Sequence, residues 1–401
     1  MSTVPWTHED GGPTRRQLVP GTFGAGAAGL EAVTRVAPAT TMLVGDVLLR
    51  HTAPPDAVAI VERIDLRTLE PLQTSAELPA GPVWPGGAGI APDGAVHVVF
   101  GNHAHRLDAD LRVTAQRRLP RDKPYNSFVT LADGHLVTKD FGGSTPAHHV
   151  AATDREPCEL VVLDPTTLDI VDTLVLPEAS IARLSAHGND LYVVGDTSLL
   201  RVRWDGTRLT GDDAFRARYR IHDGQTFGWD CVLTDDHAWF LDDGDGGERF
   251  DGTLRGKGLS TSPLHLVRVD LRTADVAMVE ISGIATGGLV TNPPVVDVER
   301  NVVVGYDSGN GVLAGFDADT LERRWSREQD HASHLLLYEG SGELVTGDHA
   351  DVVLLDVRTG AELARADTGL GMQSVLFPAP GDDCCYVCTF VGIARISPVR
   401  S

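Results

Sequence analysis

A repeated pattern of short apolar strands limits what this chain can fold into more than any other feature. Residues 301–326 (NVVVGYDSGNGVLAGFDADTLERRWS) predict three strands separated by turns rich in Gly, Asp and Asn. The first of these apolar strands, which ends at Asp307, recurs along the chain, and two of its copies end at Asn102 and near Thr389. Six more copies are closed by an aspartate, and these aspartates are Asp46, Asp140, Asp196, Asp242, Asp307 and Asp348. The chain therefore contains eight copies of the pattern.

Each copy lies between two other strand patterns. One precedes it, as residues 32–36 (AVTRV) precede the first copy, and one follows it, usually closed by Asp and a tight turn as at Asp317. Four short strands per cycle of about 50 residues are typical of a β-propeller. We predict an all-β protein with eight four-stranded blades. Seven blades is the alternative, if the first or the last cycle is incomplete.

The two ends of the chain predict how the ring closes. The last cycle lacks an outer strand after Ser397, while residues 14–18 precede the first cycle. An N-terminal strand that completes the last blade leaves few unpaired edges, so we predict that residues 14–18 close the ring. Residues 1–13 carry no pattern and are predicted to be disordered. Residues 14–401 then form a single propeller domain.

Two cycles are enlarged at the same place, between their second and third strands. The insertions span residues 141–158 and 244–262, and both are polar and rich in Gly. Such segments lie on the surface and often carry function. Because loops of one type emerge on one face of a propeller, we predict that this face is the working face.

Composition restricts the partners. With 34 basic and 56 acidic residues the net charge is -22, which repels nucleic acid and anionic membranes. We therefore expect a small-molecule substrate and neither nucleic acid nor a membrane as partner; the oligomeric state is left open. Three of the five cysteines, Cys384, Cys385 and Cys388, share one strand pattern and predict no disulfide framework. A cytoplasmic location follows, with export through the twin-arginine-like residues 14–18 as the alternative.

Two segments resemble the repeat of quinoprotein-type propellers: residues 311–325 (GVLAGFDADTLERRW) and 351–363 (DVVLLDVRTGAEL). The resemblance implies such a propeller, and its motif specifies a blade rather than an activity. The quinone-dependent dehydrogenases of this group carry Trp in most repeats, whereas this chain keeps Trp325 and lacks Trp at most equivalent places. Some of them also have a vicinal disulfide, but Cys384 and Cys385 lie inside a predicted strand. We therefore do not expect a quinone cofactor.

Residues 125–140 (YNSFVTLADGHLVTKD) are similar to the Asn-to-Asp blade motif of gluconolactonase- and regucalcin-like hydrolases. Ser127 stands where that family usually has a second polar ligand. The resemblance implies a lactonase-like hydrolysis and one divalent cation on the channel axis, held by Asn, Asp and Glu. Enzymes of that family normally have six blades.

The candidate site follows from propeller geometry. The innermost strand of a blade begins, and its second strand ends, at the same mouth of the channel. Counting back about 14 residues from the strand-ending residues gives the facing inner-strand residues, which include Ala32, Asn126, Trp229 or Asp230, Asn292 or Pro293, and His334. Asp230, Asn292 and His334 fall on consecutive cycles, and such uneven polarity is expected of an off-axis substrate site.

Roles follow from side-chain chemistry. Carboxylate and amide oxygens suit Ca²⁺, and histidines beside carboxylates suit Zn²⁺, Mn²⁺ or Fe²⁺. The predicted metal ligands are Asn126, Asp230, Asn292 and Asp307. The predicted catalytic residues are His334, Asp230, Asp140 and Lys139. The predicted substrate-binding residues are Arg183, His149, His349 and Trp229. The repeated aspartates have a second reading, in which they only bond backbone N–H groups of the following turns.

Three functional hypotheses result. The first is a hydrolase or lyase, metal-dependent or not, that acts on a small polar substrate at the loop-rich mouth of the channel. The alternative is a non-enzymatic propeller that binds a protein or peptide on that face. The third is a quinone-linked oxidoreductase.

Overall fold

Almost the whole fold consists of β-strands joined by turns. The structure, a computed structural model, describes residues 6, 8–24, 27–37, 40–51, 58–81, 87–141, 155–242, 262–283, 292–330, 334–371, 375–379 and 384–399. Within these ranges no helix is long and apolar enough to cross a bilayer. The N-terminal region contains a single 3-10 turn at Glu9–Gly11 and the strands β1 (Leu18–Val19) and β2 (Gly29–Val36).

The strands that follow form antiparallel sheets, each of which is one blade. Blade 1 contains β3 (Thr40–Val44), β4 (Val47–His51), β5 (Val58–Ile64) and β6 (Pro71–Thr74), with β7 (Leu78–Pro79) paired to β5. Blade 2 contains β8 (Gly87–Ile90), β9 (Val96–Phe100), β10 (His103–Leu107) and β11 (Val113–Arg118). Blade 3 contains β12 (Tyr125–Thr130), β13 (Leu136–Asp140), β14 (Glu159–Leu163) and β15 (Ile170–Val175). Blade 4 contains β16 (Ser185–His187), β17 (Asp190–Val194), β18 (Ser198–Trp204) and β19 (Leu209–Arg218).

The second half of the chain repeats the arrangement. Blade 5 contains β20 (Val232–Leu233), β21 (His237–Leu241), β22 (His265–Asp270) and β23 (Val276–Glu280). Blade 6 contains β24 (Val295–Asp297), β25 (Val302–Asp307), β26 (Val312–Asp317) and β27 (Arg323–Glu328). Blade 7 contains β28 (Leu336–Tyr338), β29 (Glu343–Asp348), β30 (Asp351–Asp356) and β31 (Glu362–Asp367). Blade 8 contains β32 (Val375–Pro378), β33 (Cys385–Cys388) and β34 (Gly392–Val399), and β2 is its outer strand. The prediction of eight four-stranded blades is confirmed.

The ring is closed by an N-terminal strand, as predicted, but by a different one. β2 pairs antiparallel with β34 from Gly29 opposite Val399 to Val36 opposite Gly392. The prediction that residues 14–18 provide this strand was wrong. The AVTRV pattern belongs to β2, so Ala32 is on an outer strand and not at the channel. Asp46 accordingly lies in the turn between the first two strands of blade 1, because the true inner strand of that blade is β3.

The burial of each strand follows its position in the blade. Second strands such as β9, β13 and β25 are buried at every residue, because neighbouring blades cover both of their faces. The outer strand β15 instead alternates between exposed and half-buried residues. Core clusters form between adjacent blades, as where Leu199 of blade 4 packs with Phe240 and Val267 of blade 5. The core is thus a set of layers between blades.

The aspartates that close the third strands stabilise turns. The carboxylate of Asp317 accepts hydrogen bonds from the backbone N–H groups of Asp319 and Thr320, at 3.0 and 2.9 Å. Leu321 follows with φ at 60°, and its N–H bonds the carbonyl of Asp317. The same side-chain bonds recur at Asp65, Asp164, Asp270 and Asp356. The tight turns predicted after the third strands are present at these acids.

The N-terminal arm, which we define as Trp6 and residues 8–19, lies inside the ring. The backbone carbonyls of Pro13, Thr14 and Gln17 accept hydrogen bonds from inner strands of blades 4, 5 and 7, at Ala186, Leu233 and Leu337. β1 pairs in parallel with β28, and the ring of Trp6 packs on Phe377 of blade 8. Trp6 and residues 8–13 were expected to be disordered. They are instead packed in the channel, and most of their side chains are buried.

Candidate functional site

Arg15 lies at the centre of a buried ionic cluster in the channel. Its guanidinium is 1% exposed and lies 2.8 Å from Asp10 Oδ2 and 3.1 Å from Glu9 Oε1. It also donates to the hydroxyl of Ser127 and, through Nε, to the carbonyl of Leu184 at 2.9 Å. Burial alone lowers the pKa of Arg15, but the nearby carboxylates outweigh it and raise this pKa above its usual range. Arg15 therefore stays charged inside the ring.

Asp10 connects the arm to the mouth at which second strands end and inner strands begin, the mouth that the sequence predicts to be loop-rich. Its Oδ1 lies 2.7 Å from Nδ1 of His334, and its Oδ2 lies 3.6 Å from Nη1 of Arg183. Burial alone raises the pKa of Asp10. Attraction to His334, their hydrogen bond and the charges of Arg15 and Arg183 reverse this effect, so the pKa falls below its ordinary value.

Three of the sequence-predicted residues meet at this point. Arg183 donates its backbone N–H to Asp230 Oδ1 at 2.6 Å, and its guanidinium lies 3.4 Å from Asp230 Oδ2. Arg183 thus lies between Asp230 and Asp10, while His334 binds the other oxygen of Asp10. The structure brings Arg183, Asp230 and His334 together, although the carboxylate that joins them comes from the arm.

Other predicted residues have their main contacts elsewhere. Lys139 is 1% exposed and donates through Nζ to the backbone carbonyls of Asp140 and Ser180. Burial lowers the pKa of Lys139. Trp229 is buried in the core between blades, whereas His349 is an exposed turn residue with φ at 58°.

The metal site predicted at Asn126, Asp230, Asn292 and Asp307 stays a prediction, because the side chain of Asn126 lies outside the described residues. Within them, no group of three or more His, Cys, Asp or Glu side chains has a suitable arrangement. Asp230 is engaged by Arg183, and both oxygens of Asp307 accept hydrogen bonds from Asn310. Asn292 is buried. His149 and the side chain of Asn126 lie outside the described residues, as do residues 142–154 and 243–261 of the insertions. Cys384, Cys385 and Cys388 are buried free thiols.

The aspartates that end second strands have local partners. Asp140 accepts from Arg121 at 2.7 Å and from the backbone N–H of Glu159. Asp348 accepts from Arg365 at 3.1 Å and from the backbone N–H of Asp330. Partners of this kind support the structural reading of these positions. Two aspartates of the series, Asp196 and Asp242, differ from the rest.

Asp242 forms a buried pair with His265. Its Oδ2 lies 2.7 Å from Nδ1 of His265, and its Oδ1 accepts the backbone N–H of His265 at 2.6 Å. Gln225 donates to the same Oδ2 at 2.6 Å. The ring of His222 stacks on that of His265 with 5.2 Å between the centroids. Asp242 immediately precedes the second insertion, so the pair lies on the loop-rich face.

Asp196 is poorly solvated and weakly paired. Its Oδ1 accepts no hydrogen bond from the described residues, and a guanidinium nitrogen of Arg155 lies 3.3 Å from it. Burial raises the pKa of Asp196 to about 6, although the positive charge of Arg155 opposes this. Asp196 follows the second strand of blade 4, so it shares the loop-rich face with His265.

A series of contacts runs from the backbone of Gly195, the neighbour of Asp196, to the Asp242–His265 pair. The Tyr219 hydroxyl donates to the carbonyl of Gly195, next to Asp196, at 2.7 Å. Arg220 donates through Nε to the carbonyl of Gln225, whose side chain contacts Asp242. We call this group, from Asp196 through Tyr219, Arg220 and Gln225 to Asp242, His265 and His222, the rim network. Arg155, the first described residue after the gap in the first insertion, contacts its Asp196, and Asp242 precedes the second insertion in the chain.

Sequence reasoning missed several of these residues. Glu9, Asp10 and Arg15 were assigned to a patternless segment or to a closing strand, and nothing in the local sequence shows that they enter a channel. His265 could have been found, because it begins the strand after the second insertion and faces the strand-ending Asp242.

The comparisons with known proteins bear on the fold. No protein-family model and no curated protein matches the chain. Among solved structures, BamB from Moraxella catarrhalis aligns over 92% of this chain and 99% of its own, with a TM-score of 0.62 and 14% identity. The quinohemoprotein alcohol dehydrogenase from Comamonas testosteroni aligns over 100% and 82%, with a TM-score of 0.66 and 12% identity.

A europium-containing methanol dehydrogenase aligns over 95% of this chain and 88% of its own, with a TM-score of 0.65 and 11% identity. At such identities the similarity concerns the fold alone. The ring has eight blades, two more than the lactonase-type propellers that residues 125–140 resemble. The chain is an eight-bladed β-propeller, and its fold is similar to that of BamB and of the two dehydrogenases.

Proposed function

We propose that the protein is an acid–base enzyme, a hydrolase or lyase, that acts on a small polar substrate at the rim network. The observation that carries the proposal is the buried Asp242–His265 pair on the loop-rich face, 2.7 Å between Oδ2 and Nδ1. A carboxylate that accepts the Nδ1 proton orients the imidazole and leaves Nε2 as the nitrogen that takes a proton. His265 is the general base in this proposal.

Asp196 is the proposed general acid. With a pKa of about 6, a part of its population still carries a proton near neutral pH, which a normal aspartate does not. Two titratable groups whose environments differ this strongly in one network are suited to opposite roles. In this proposal the acid gives its proton to the leaving group while His265 activates water or removes a substrate proton.

The arm is the reason to favour the rim over the channel axis. Trp6 and residues 8–19 occupy the axis, and the arm's Arg15 and Asp10 are hydrogen-bonded and almost fully buried there. A substrate on the axis would first have to displace these ion pairs. The rim network contains no residue of the arm, so a substrate bound there requires no such step.

The test is a substrate screen with matched variants. Purified protein is assayed against a panel of lactones, carboxylic esters and sugar acids across pH 5–9. His265→Gln and Asp242→Asn should each lower the turnover of any substrate found by about 10²–10⁴-fold, the usual contribution of a general base. The control is His187→Gln, an exposed histidine on blade 4, which should change nothing. Full activity in His265→Gln would refute the assignment.

A second candidate is the binding of a protein partner on the same face. Val36, Phe390 and Val391 are 72%, 42% and 49% exposed and adjoin one another where β2 pairs with β34. Contiguous exposed apolar side chains are typical of interaction surfaces. Cross-linking in a cell extract should then capture a partner with the wild type and not with Phe390→Ser. Equal capture by both would exclude this surface.

A further inference from the structure

We propose that His334 and Arg183 form a carboxylate-binding subsite at the channel mouth, and that Asp10 of the N-terminal arm is its internal occupant. The ligand class is a carboxylate, either a small free acid or an acidic side chain of a peptide. This inference concerns the channel mouth and is independent of the rim network.

The geometry is that of carboxylate recognition. One oxygen of Asp10 faces Nδ1 of His334 at 2.7 Å, while the other lies 2.8 Å from Arg15 and 3.6 Å from Arg183. Charge-assisted bonds from imidazole and guanidinium groups to both oxygens are the strong form of such recognition. Asp10 is 1% exposed, so water competes little for these donors.

The ring supplies His334 and Arg183, while Arg15, which also contacts Asp10, belongs to the arm itself. The four strands of each blade are present without the arm, which adds strand β1 to blade 7 and accepts backbone hydrogen bonds from blades 4 and 5. Asp10 itself has φ at 58°, a conformation that costs energy for a residue other than glycine. The contacts with His334 and Arg183 offset that cost, as expected of a segment held as a ligand.

The charges around the subsite determine what can replace Asp10. Arg15 and Arg183 face the carboxylates of Glu9 and Asp230 within the same cluster. Without Asp10 these four charges cancel, and His334 and Arg183 lose the carboxylate oxygens that they contact. A monocarboxylate supplies both oxygens, whereas a chloride ion supplies a negative charge without two oxygens at carboxylate spacing.

The experiment removes the occupant from the full-length chain and supplies a carboxylate. Asp10→Gly empties the subsite, and glycine tolerates the local φ. Thermal unfolding of wild type and Asp10→Gly is measured in sodium acetate and in sodium chloride at equal ionic strength. Acetate should stabilise Asp10→Gly in a saturable way and leave the wild type unchanged. At ten times Kd the unfolding equilibrium constant should fall about eleven-fold.

Three controls complete the test. Asp10→Asn keeps the shape of the side chain and should not respond to acetate. Adding His334→Gln to Asp10→Gly should abolish the acetate effect. Acetyl-aspartyl-amide, compared with acetate, shows whether the subsite prefers a free acid or a peptide side chain.

The outcomes decide the proposal in every case. Equal stability of Asp10→Gly in acetate and chloride overturns it. If Asp10→Gly does not fold in chloride, acetate should restore its refolding, and failure to do so also overturns the proposal. Asp10→Ser leaves room for formate. Its thermal unfolding is therefore compared in sodium formate and in sodium chloride, and equal stability in the two salts again overturns the proposal.

Discussion

Nδ1 of His334 lies 2.7 Å from Oδ1 of Asp10, although 324 positions separate the two residues in the chain. This contact attaches the N-terminal arm to blade 7 and, through Arg183, to the blade 4–blade 5 sector of the mouth. A segment without any strand pattern therefore contributes a carboxylate at the place where a substrate was expected.

Arg15→Ala should destabilise the protein strongly. Removal of the guanidinium leaves the buried carboxylates of Glu9 and Asp10 without a main partner, and breaking a buried pair costs about 3–5 kcal/mol. Chemical unfolding of the variant should show this loss, and limited proteolysis should cut the arm faster. Arg16→Ala is the matched control, since Nε of Arg16 is buried and has no hydrogen-bond partner among the described residues. If Arg15→Ala and Arg16→Ala lowered the free energy of unfolding equally, the stabilising role of the ionic cluster would be contradicted.

Because of His8, the free energy of unfolding should decrease as the pH is lowered. Burial, with the charges of Arg15 and His97, lowers the pKa of His8 to about 3. The unfolded chain then takes up a proton below pH 6.5 that the folded chain does not, so stability falls as the pH decreases from 6.5 towards 3, by about 1.4 kcal/mol per pH unit. His8→Gln can keep the bond to Thr130 and should reduce this slope.

The measurement for His8 is a series of urea unfolding curves between pH 4 and 7. Near pH 7 the free energy of unfolding should depend on pH in the same way for wild type and His8→Gln. At lower pH it should fall more steeply for the wild type. The exposed His187→Gln serves as the control for the loss of a histidine. Parallel curves for wild type and His8→Gln would show that His8 is not shielded in the channel.

Asp196→Asn should stabilise the protein near neutral pH. The folded-state pKa of about 6 exceeds the ordinary 3.8 because the carboxyl is buried. The folded chain thus binds this proton more tightly, and stability is lost as the pH rises from 3.8 to 6. Above that range the cost is about 2–3 kcal/mol, which the neutral amide avoids. The free energy of unfolding of wild type and Asp196→Asn, measured at pH 4 and at pH 7.5, tests this prediction. If the substitution raised this free energy equally at both pH values, the prediction would be contradicted.

Gly392→Ala should weaken the closure of the ring. A methyl group at Gly392 would overlap the backbone carbonyl oxygen of Arg35 in β2, at the register position where Val36 faces Gly392. Hydrogen exchange of β2 amides should accelerate, and the thermal midpoint should fall by several degrees for a loss of about 2 kcal/mol. Gly211→Ala has open space around the added methyl and should have little effect.

Local patterns were sufficient for most of the fold. Asp317 and Leu321 form the same turn that recurs after other third strands, because a side-chain acceptor and a left-handed residue act within five positions of each other. Strand alternation and turn residues therefore predict blades and their number. The assignment of residues 32–36 to an inner strand failed because that apolar strand fits an inner or an outer position equally well, and only its pairing with β34 decides.

The candidate site was predicted only in part. Arg183, Asp230 and His334 lie at strand starts that propeller geometry directs to one mouth, so their proximity could be anticipated. Their partner Asp10 could not, because a charged residue is buried only when distant counter-charges stabilise it. The role of Asp196 could not be anticipated either, because its pKa is raised by burial in the folded protein.

Hydrogen bonds and apolar contacts between near neighbours in the chain produce the repeat and the eight blades, so local sequence patterns were enough to predict both. Only the tertiary structure decided that β2 closes the ring, that the arm fills the channel, and that Asp242 and His265 form a pair next to Asp196. These features depend on desolvation and on charges brought together from distant parts of the chain, which no local pattern encodes.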